Sequence, residues 1–145
     1  MGCLLTRRVI ALDQLAAFAR EFVSRVRPGS VIALRGPMGA GKTTFVRALV
    51  AAFGADDWVS SPTFQLLHHY VSPQGPIYHF DLYRLTSQAS FLSMDFLEYM
   101  TRPDAVVLIE WPDIIEDLLP AHTIFVELAY GDGVNERVVT FSLTG

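Results

Sequence analysis

Gly36-Pro-Met-Gly-Ala-Gly-Lys-Thr43 is the stretch of sequence that decides the fold. Gly36, Gly41, Lys42 and Thr43 fill every fixed position of the G-x-x-x-x-G-K-[ST] pattern. Glycines let such a loop turn tightly and bring its backbone N–H groups up to phosphate oxygens. A helix that starts at the loop aims about half a positive charge at the same point. Lys42 is expected to reach the β and γ phosphates as a compact cation, and Thr43 to offer its hydroxyl to Mg²⁺. The flanks supply the context this pattern requires. Val31–Leu34 is a short apolar run that reads as a buried strand, and Thr43–Phe53 reads as a helix with Phe45, Leu49 and Phe53 along one side and Gly54 closing it. The candidate nucleotide-binding set in the loop is Gly36, Met38, Gly39, Ala40, Gly41, Lys42, Thr43 and Thr44. Lys42 is the only lysine beside ten arginines, so a slim ammonium stands at the one place where a planar guanidinium would crowd the loop.

Working outward, Leu4–Ile10 reads as a first strand, although Met1-Gly2-Cys3-Leu4-Leu5-Thr6 also fits a loose acylation pattern. Asp13 is placed to cap a helix with an apolar stripe of Leu15, Ala16, Ala19, Phe22, Val23 and Val26, which Pro28-Gly29 ends. Beyond the loop's helix, two strand-like stretches, about Phe64–Val71 and Ile77–Arg84, flank Ser72-Pro-Gln-Gly-Pro76 and predict a hairpin. In the second stretch Tyr78, Phe80 and Leu82 share one face, with His79 and Asp81 on the other. Residues 88–100 look weakly helical. Ala105–Ile109 is a continuous apolar run ending in Glu110, which suits a central strand covered on both faces. Pro112 opens a short helix that Pro120 stops, and strands near 122–129 and 137–143 flank Gly131-Asp-Gly133. The expected fold is α/β and P-loop NTPase-like, a mixed, partly parallel sheet flanked by helices in one domain of 145 residues.

Composition narrows the function. Hydrophobic residues are 51% and charged residues 18%, which predicts a packed core rather than disorder. The longest apolar run is too short to cross a bilayer, so no membrane partner is expected. A net charge of −4 argues against autonomous nucleic-acid binding, whose affinity comes largely from neutralising phosphates. The single cysteine, Cys3, excludes an internal disulfide and a cysteine-rich metal site. His68 and His69 are expected on opposite faces of one strand, where they cannot chelate together, and His79 and His122 read as ordinary strand histidines.

A phosphate loop alone binds nucleotide; hydrolysis also needs Mg²⁺ ligands and a way to orient the attacking group. Acids at the carboxyl ends of strands supply these in open α/β sheets. Asp81 and Glu110 stand at such ends, which makes Glu110, Asp81 and Lys42 the candidate catalytic residues and Thr43, Glu110 and Asp81 the candidate metal ligands. The order of loop, helix, threonine segment, hairpin and Asp parallels small switch GTPases, and on that analogy Thr63 senses the γ-phosphate. The lone asparagine, Asn135, has no lysine beside it, so the Asn-Lys-x-Asp guanine reader is missing and ATP is the expected nucleotide. Trp111 follows Glu110 directly, and Arg84, three residues after Asp81, is the nearest candidate for an arginine finger.

Four segments taken together, Gly36–Phe45, Ser61-Pro-Thr-Phe64, Tyr78-His-Phe-Asp-Leu-Tyr-Arg-Leu85 and Ile109-Glu-Trp-Pro112, resemble the TsaE (YjeE) family over nearly the whole chain. The resemblance implies a small cytoplasmic ATPase that supports threonylcarbamoylation of adenosine in tRNA. Its partners would be the TsaD and TsaB proteins, and it would meet tRNA only through their complex. It implies phosphate and Mg²⁺ roles for Lys42 and Thr43, metal and water roles for Asp81 and Glu110, and a hydrolysis or partner role for Trp111. The chain departs from the family at Thr86–Met94, which is nearly uncharged where an acidic stretch is usual. Two other readings stay open at this point: a small P-loop kinase, and a nucleotide-dependent binding module with vestigial hydrolysis.

Overall fold

The computed structural model of the chain describes residues 4–37, 39–55, 58–60 and 66–143. β1 (Leu4–Ala11) passes through a 3-10 turn (Leu12–Gln14) into α1 (Leu15–Val23), and β2 (Val31–Arg35) leads through the glycine loop into α2 (Lys42–Ala52). β3 (Trp58–Ser60), β4 (Leu67–Ser72) and β5 (Gly75–Asp81) follow, then α3 (Gln88–Ser93) and a 3-10 segment, Phe96–Thr101. β6 (Val106–Glu110), a further 3-10 segment (Pro112–Leu118), β7 (Ile124–Tyr130) and β8 (Glu136–Leu143) complete the order.

All these strands form one eight-stranded sheet in the order β1-β8-β7-β2-β6-β5-β4-β3. The four inner strands β7, β2, β6 and β5 are parallel, and the outer pairings on both sides are antiparallel. The inner strands read as apolar runs because layers cover both faces, and every residue of β6 is buried. Alternate residues feed alternate faces. Ile32, Leu34, Val106 and Leu108 join one core with α1 and α2, where Phe18, Phe22, Phe45 and Phe141 meet at ring distances of 5.4–6.1 Å. Val31, Val107 and Ile109 join a second core with Tyr78, Phe80, Leu82, Phe91 and Phe96. Tyr78, Phe80 and Leu82 thus share a face as their spacing predicts. No helix among the described residues is long and apolar enough to cross a membrane.

Several local expectations give way. Asp13 lies inside the 3-10 turn, and α1 starts at Leu15 with Gln14 at its N-cap and no side-chain cap. Ala16 is exposed and Phe18 is buried, because the sheet meets the line through Leu15, Phe18, Ala19 and Phe22. The helix stops at Val23, before Pro28-Gly29, where Ser24 Oγ donates to the Glu21 carbonyl oxygen at 2.6 Å and competes with the helical ladder. The hairpin is present, but its second strand ends at Asp81 rather than Arg84, because Leu85 N–H closes a turn on the Leu82 carbonyl. Residues 88–100 split into α3 and the 3-10 segment, since Asp95 adopts the left-handed conformation between them. The three-residue strand β3 has no counterpart in the sequence reading.

Candidate functional site

The loop takes its shape from its glycines. Gly36, Gly39 and Gly41 have φ of 146°, 83° and 102°, a region side chains rarely adopt. A Cβ on Gly36 would also meet the Leu128 carbonyl oxygen at 2.2 Å, so the loop passes flush against β7. The hairpin of β7 and β8 props it from the far side. Arg137 Nε donates to the Ala40 carbonyl at 3.2 Å, and its guanidinium lies 4.8 Å from the Tyr130 ring centre. This prop is invisible in the sequence, because neither residue belongs to the loop pattern.

α2 begins at Lys42, which is buried, with Thr43 and Thr44 exposed beside it at the helix's positive end. Lys42 Nζ donates to the Gly36 carbonyl oxygen and, at 3.4 Å, to that of Pro37. The Trp111 ring covers the ammonium, its centre 3.4 Å away, a cation–π contact. Trp111 reaches this position with φ of 59°, one of two non-glycine residues with positive φ among those described. Burial pushes the Lys42 pKa down from its ordinary value, against the opposing pull of Glu110, Asp113 and Asp81.

The two acids stand side by side, because the parallel register of β5 on β6 pairs Asp81 with Glu110. Glu110 is 2% exposed and both its oxygens are engaged. Thr43 Oγ1 donates to Oε1 at 2.9 Å, and His79 Nε2 lies 2.7 Å from Oε2. Burial pushes the Glu110 carboxyl upward. The His79 contact, the Thr43 hydroxyl and the Lys42 ammonium outweigh it and hold the group below its ordinary value. Asp81 Oδ1 accepts from Tyr83 N–H at 3.2 Å, which ties the acid to the chain's turn out of β5.

These parts line one cleft of about 320 Å³, bounded by Gly39, Gly41, Lys42, Thr43, Thr44, Asp81, Tyr83, Glu110 and Trp111. Gly36 and Ala40 shape the loop without lining the cleft. Arg84 is exposed and does not line it. Met38 and Thr63 lie outside the described residues. Tyr83, whose ring is 5.1 Å from that of Trp111, and Asp113 are neighbours that spacing does not reveal. His79 sits on the same face as Asp81, as alternation predicts, but its bond to Glu110 needs the strand register to be seen. His68 and His69 do face opposite ways, stacking on His79 and Tyr78 respectively.

The donor set fits a hard cation and a phosphate chain. A hydroxyl and two carboxylates offer oxygen ligands of the kind Mg²⁺ takes, and Gly39 and Gly41 of the glycine loop line the same cleft.

The comparisons with known proteins identify the family. Residues 10–139 match the family model described as threonylcarbamoyl adenosine biosynthesis protein TsaE. The chain is 33% identical over 138 residues to the tRNA threonylcarbamoyladenosine biosynthesis protein TsaE of Bacillus subtilis (strain 168), covering 95% of this chain and 85% of that one. It is 39% identical over 117 residues to the TsaE of Rickettsia bellii, covering 80% of each. Among solved structures, the crystal structure of Bacillus subtilis YdiB superposes with a TM-score of 0.73 at 25% identity, over 100% of this chain and 89% of that one. A match that takes in the glycine loop, both strand-end acids and Trp111 leaves one assignment: this chain belongs to the TsaE family.

Proposed function

We propose that this chain is a P-loop ATPase that binds Mg-ATP, hydrolyses it slowly when alone, and supports threonylcarbamoylation of adenosine in tRNA with TsaD and TsaB. The observation that carries the ATPase reading is the Thr43–Glu110 hydrogen bond at the mouth of the glycine loop, with Asp81 in register beside it. The names of the relatives support the link to tRNA threonylcarbamoyladenosine.

The loop amides and the positive end of α2 receive the phosphates. Lys42 exchanges its two carbonyl partners for phosphate oxygens, a geometry its buried, ring-covered ammonium already favours. Thr43, Glu110 and Asp81 would hold Mg²⁺, which would supply positive charge to offset the charge developing on the phosphate. Glu110 is held ionised at neutral pH and orients the attacking water as well as the metal shell. Neither Arg84 nor any other arginine of the described residues lines the cleft. That supports turnover of about 10⁻⁴ to 10⁻² per second in the isolated protein, the range of switch proteins whose finger is missing or weakly placed.

Calorimetric titration of the folded protein with Mg-ATP tests the binding: saturable heat is expected, and its loss in Lys42→Ala. Pull-down in the presence of ATP should retain TsaD and TsaB with the wild type and lose them with Lys42→Ala. Silence at millimolar Mg-ATP, or turnover of tens per second by the isolated chain, overturns the proposal.

A further inference from the structure

We propose that His79 is a positioning residue, whose Nε2–H fixes the Glu110 carboxylate so that its other oxygen faces Thr43 and the cleft. This deepens the ATPase reading and rests on it. His79 does not line the cleft, so what it contributes there passes through Glu110.

The geometry is specific. Glu110 ends β6, and the backbone ladder holds its Cα but leaves the side-chain torsions to be fixed by other means. Each oxygen has a different partner: Oε1 takes the Thr43 hydroxyl at 2.9 Å, and Oε2 faces His79 Nε2 at 2.7 Å. With one oxygen tied on each side, the carboxylate cannot rotate about its last torsion without breaking a bond. An ionised carboxylate only accepts, so the hydrogen in the shorter bond sits on Nε2. His79 reaches Glu110 diagonally: its register partner is Leu108, two residues before Glu110 on the same face of β6. Such a diagonal is within reach of aromatic and other long side chains.

His79 is itself held. It is 5% exposed, and His68, its register partner on β4, stacks on it with ring centres 5.6 Å apart and planes 27° from parallel. Its Nδ1 is buried with no hydrogen-bond partner among the described residues. A buried imidazole with one nitrogen unsatisfied is a poor choice for packing, because burying an unpaired polar atom carries a free-energy penalty that a phenyl or isobutyl group avoids. What the position gains in return is one directed N–H on Glu110. Partners of this kind behind a metal-ligating side chain keep it oriented.

The test uses the full chain as wild type, His79→Leu, His79→Gln and His79→Asn. The Gln amide nitrogen can occupy the place of Nε2, whereas that of Asn falls near Nδ1 and cannot reach Oε2. Two readouts are taken: Mn²⁺ affinity of the ADP complex by electron paramagnetic resonance, and kcat and KM for ATP. His79→Leu and His79→Asn should lower Mn²⁺ affinity and kcat by about 10- to 100-fold, with KM for ATP and metal-free ADP affinity little changed. His79→Gln should restore most of both. Wild-type values in His79→Leu, or His79→Gln no better than His79→Asn, overturn the role of His79 while the ATPase reading stands. If His79→Leu does not fold, the Gln–Asn comparison decides alone. A wild-type chain that binds no Mn-ADP overturns the ATPase reading and this role together.

Discussion

Gly36 and Gly41 carry the same residue type for different reasons, and substitution separates them. Both have left-handed φ, but a Cβ on Gly36 strikes a backbone carbonyl of β7, whereas one on Gly41 meets nothing within 4 Å. Gly41→Ala should cost about 1–3 kcal/mol of conformational strain, and Gly36→Ala distinctly more, as read from urea unfolding midpoints. Equal losses would count against the close approach to β7. Lys42 gives a pH prediction. Burial first, opposed by Glu110, Asp113 and Asp81, sets its pKa below the ordinary 10.5, so the unfolded chain holds that proton more tightly than the folded one. Stability of the wild type relative to Lys42→Met should therefore be flat below the lowered pKa, rise with pH from there to 10.5, and level off above. Tyr70 and Tyr78, whose hydroxyls burial pushes upward, are common to both proteins and cancel. A difference that fell over this window would contradict the burial of the ammonium. The loop residues, Asp81 and Glu110 were legible in the sequence because each belongs to a contiguous pattern or stands at the end of an apolar run. His79, Tyr83 and Asp113 were not, because what matters about them is a neighbour on another segment.

At the scale of the element, β6 is the strand on which the site depends, since it delivers Glu110 and passes directly into Trp111. Leu108 is fully buried against α2's core, and Leu108→Ala should cost about 2–5 kcal/mol by chemical denaturation. Val71 on β4 is 61% exposed, so Val71→Ala should stay within about 0.5 kcal/mol. Similar losses at both positions would mean that β6 is not the covered strand described. Five consecutive apolar residues made β6 readable, as the four of Val31–Leu34 did β2. β3 escaped because three residues are too few to display alternation. The start of α1 shifted because Asp13 fits a 3-10 turn as well as a cap, and local chemistry alone does not choose between them. Arg8 links β1 to this helix through two hydrogen bonds of 2.9 Å to Glu21, a contact between elements that no spacing rule reveals.

Over the whole molecule, the hairpin and the mixed character of the sheet could be read in advance, but the order of its strands could not. Periodicity says which residues are buried and is silent on which edges meet. β2 lies between β6 and β7, which follow it by more than seventy residues, so the phosphate loop emerges at the centre of the sheet although it stands in the first third of the chain. β8 lies between β7 and β1, and deleting residues 136–143 strips both of a partner. That deletion also removes Arg137 from the loop's prop, so it should lower stability sharply and promote association through bared edges, as read by thermal unfolding and size-exclusion chromatography. Unchanged thermal unfolding and elution would refute the pairing. β1 and β8 align residue by residue from Leu4↔Leu143 to Ala11↔Glu136. During translation, then, the strand made early must wait for one made more than a hundred residues later. Until residues 136–143 clear the ribosome, β1 has no ladder to join and its backbone groups stay bonded to water.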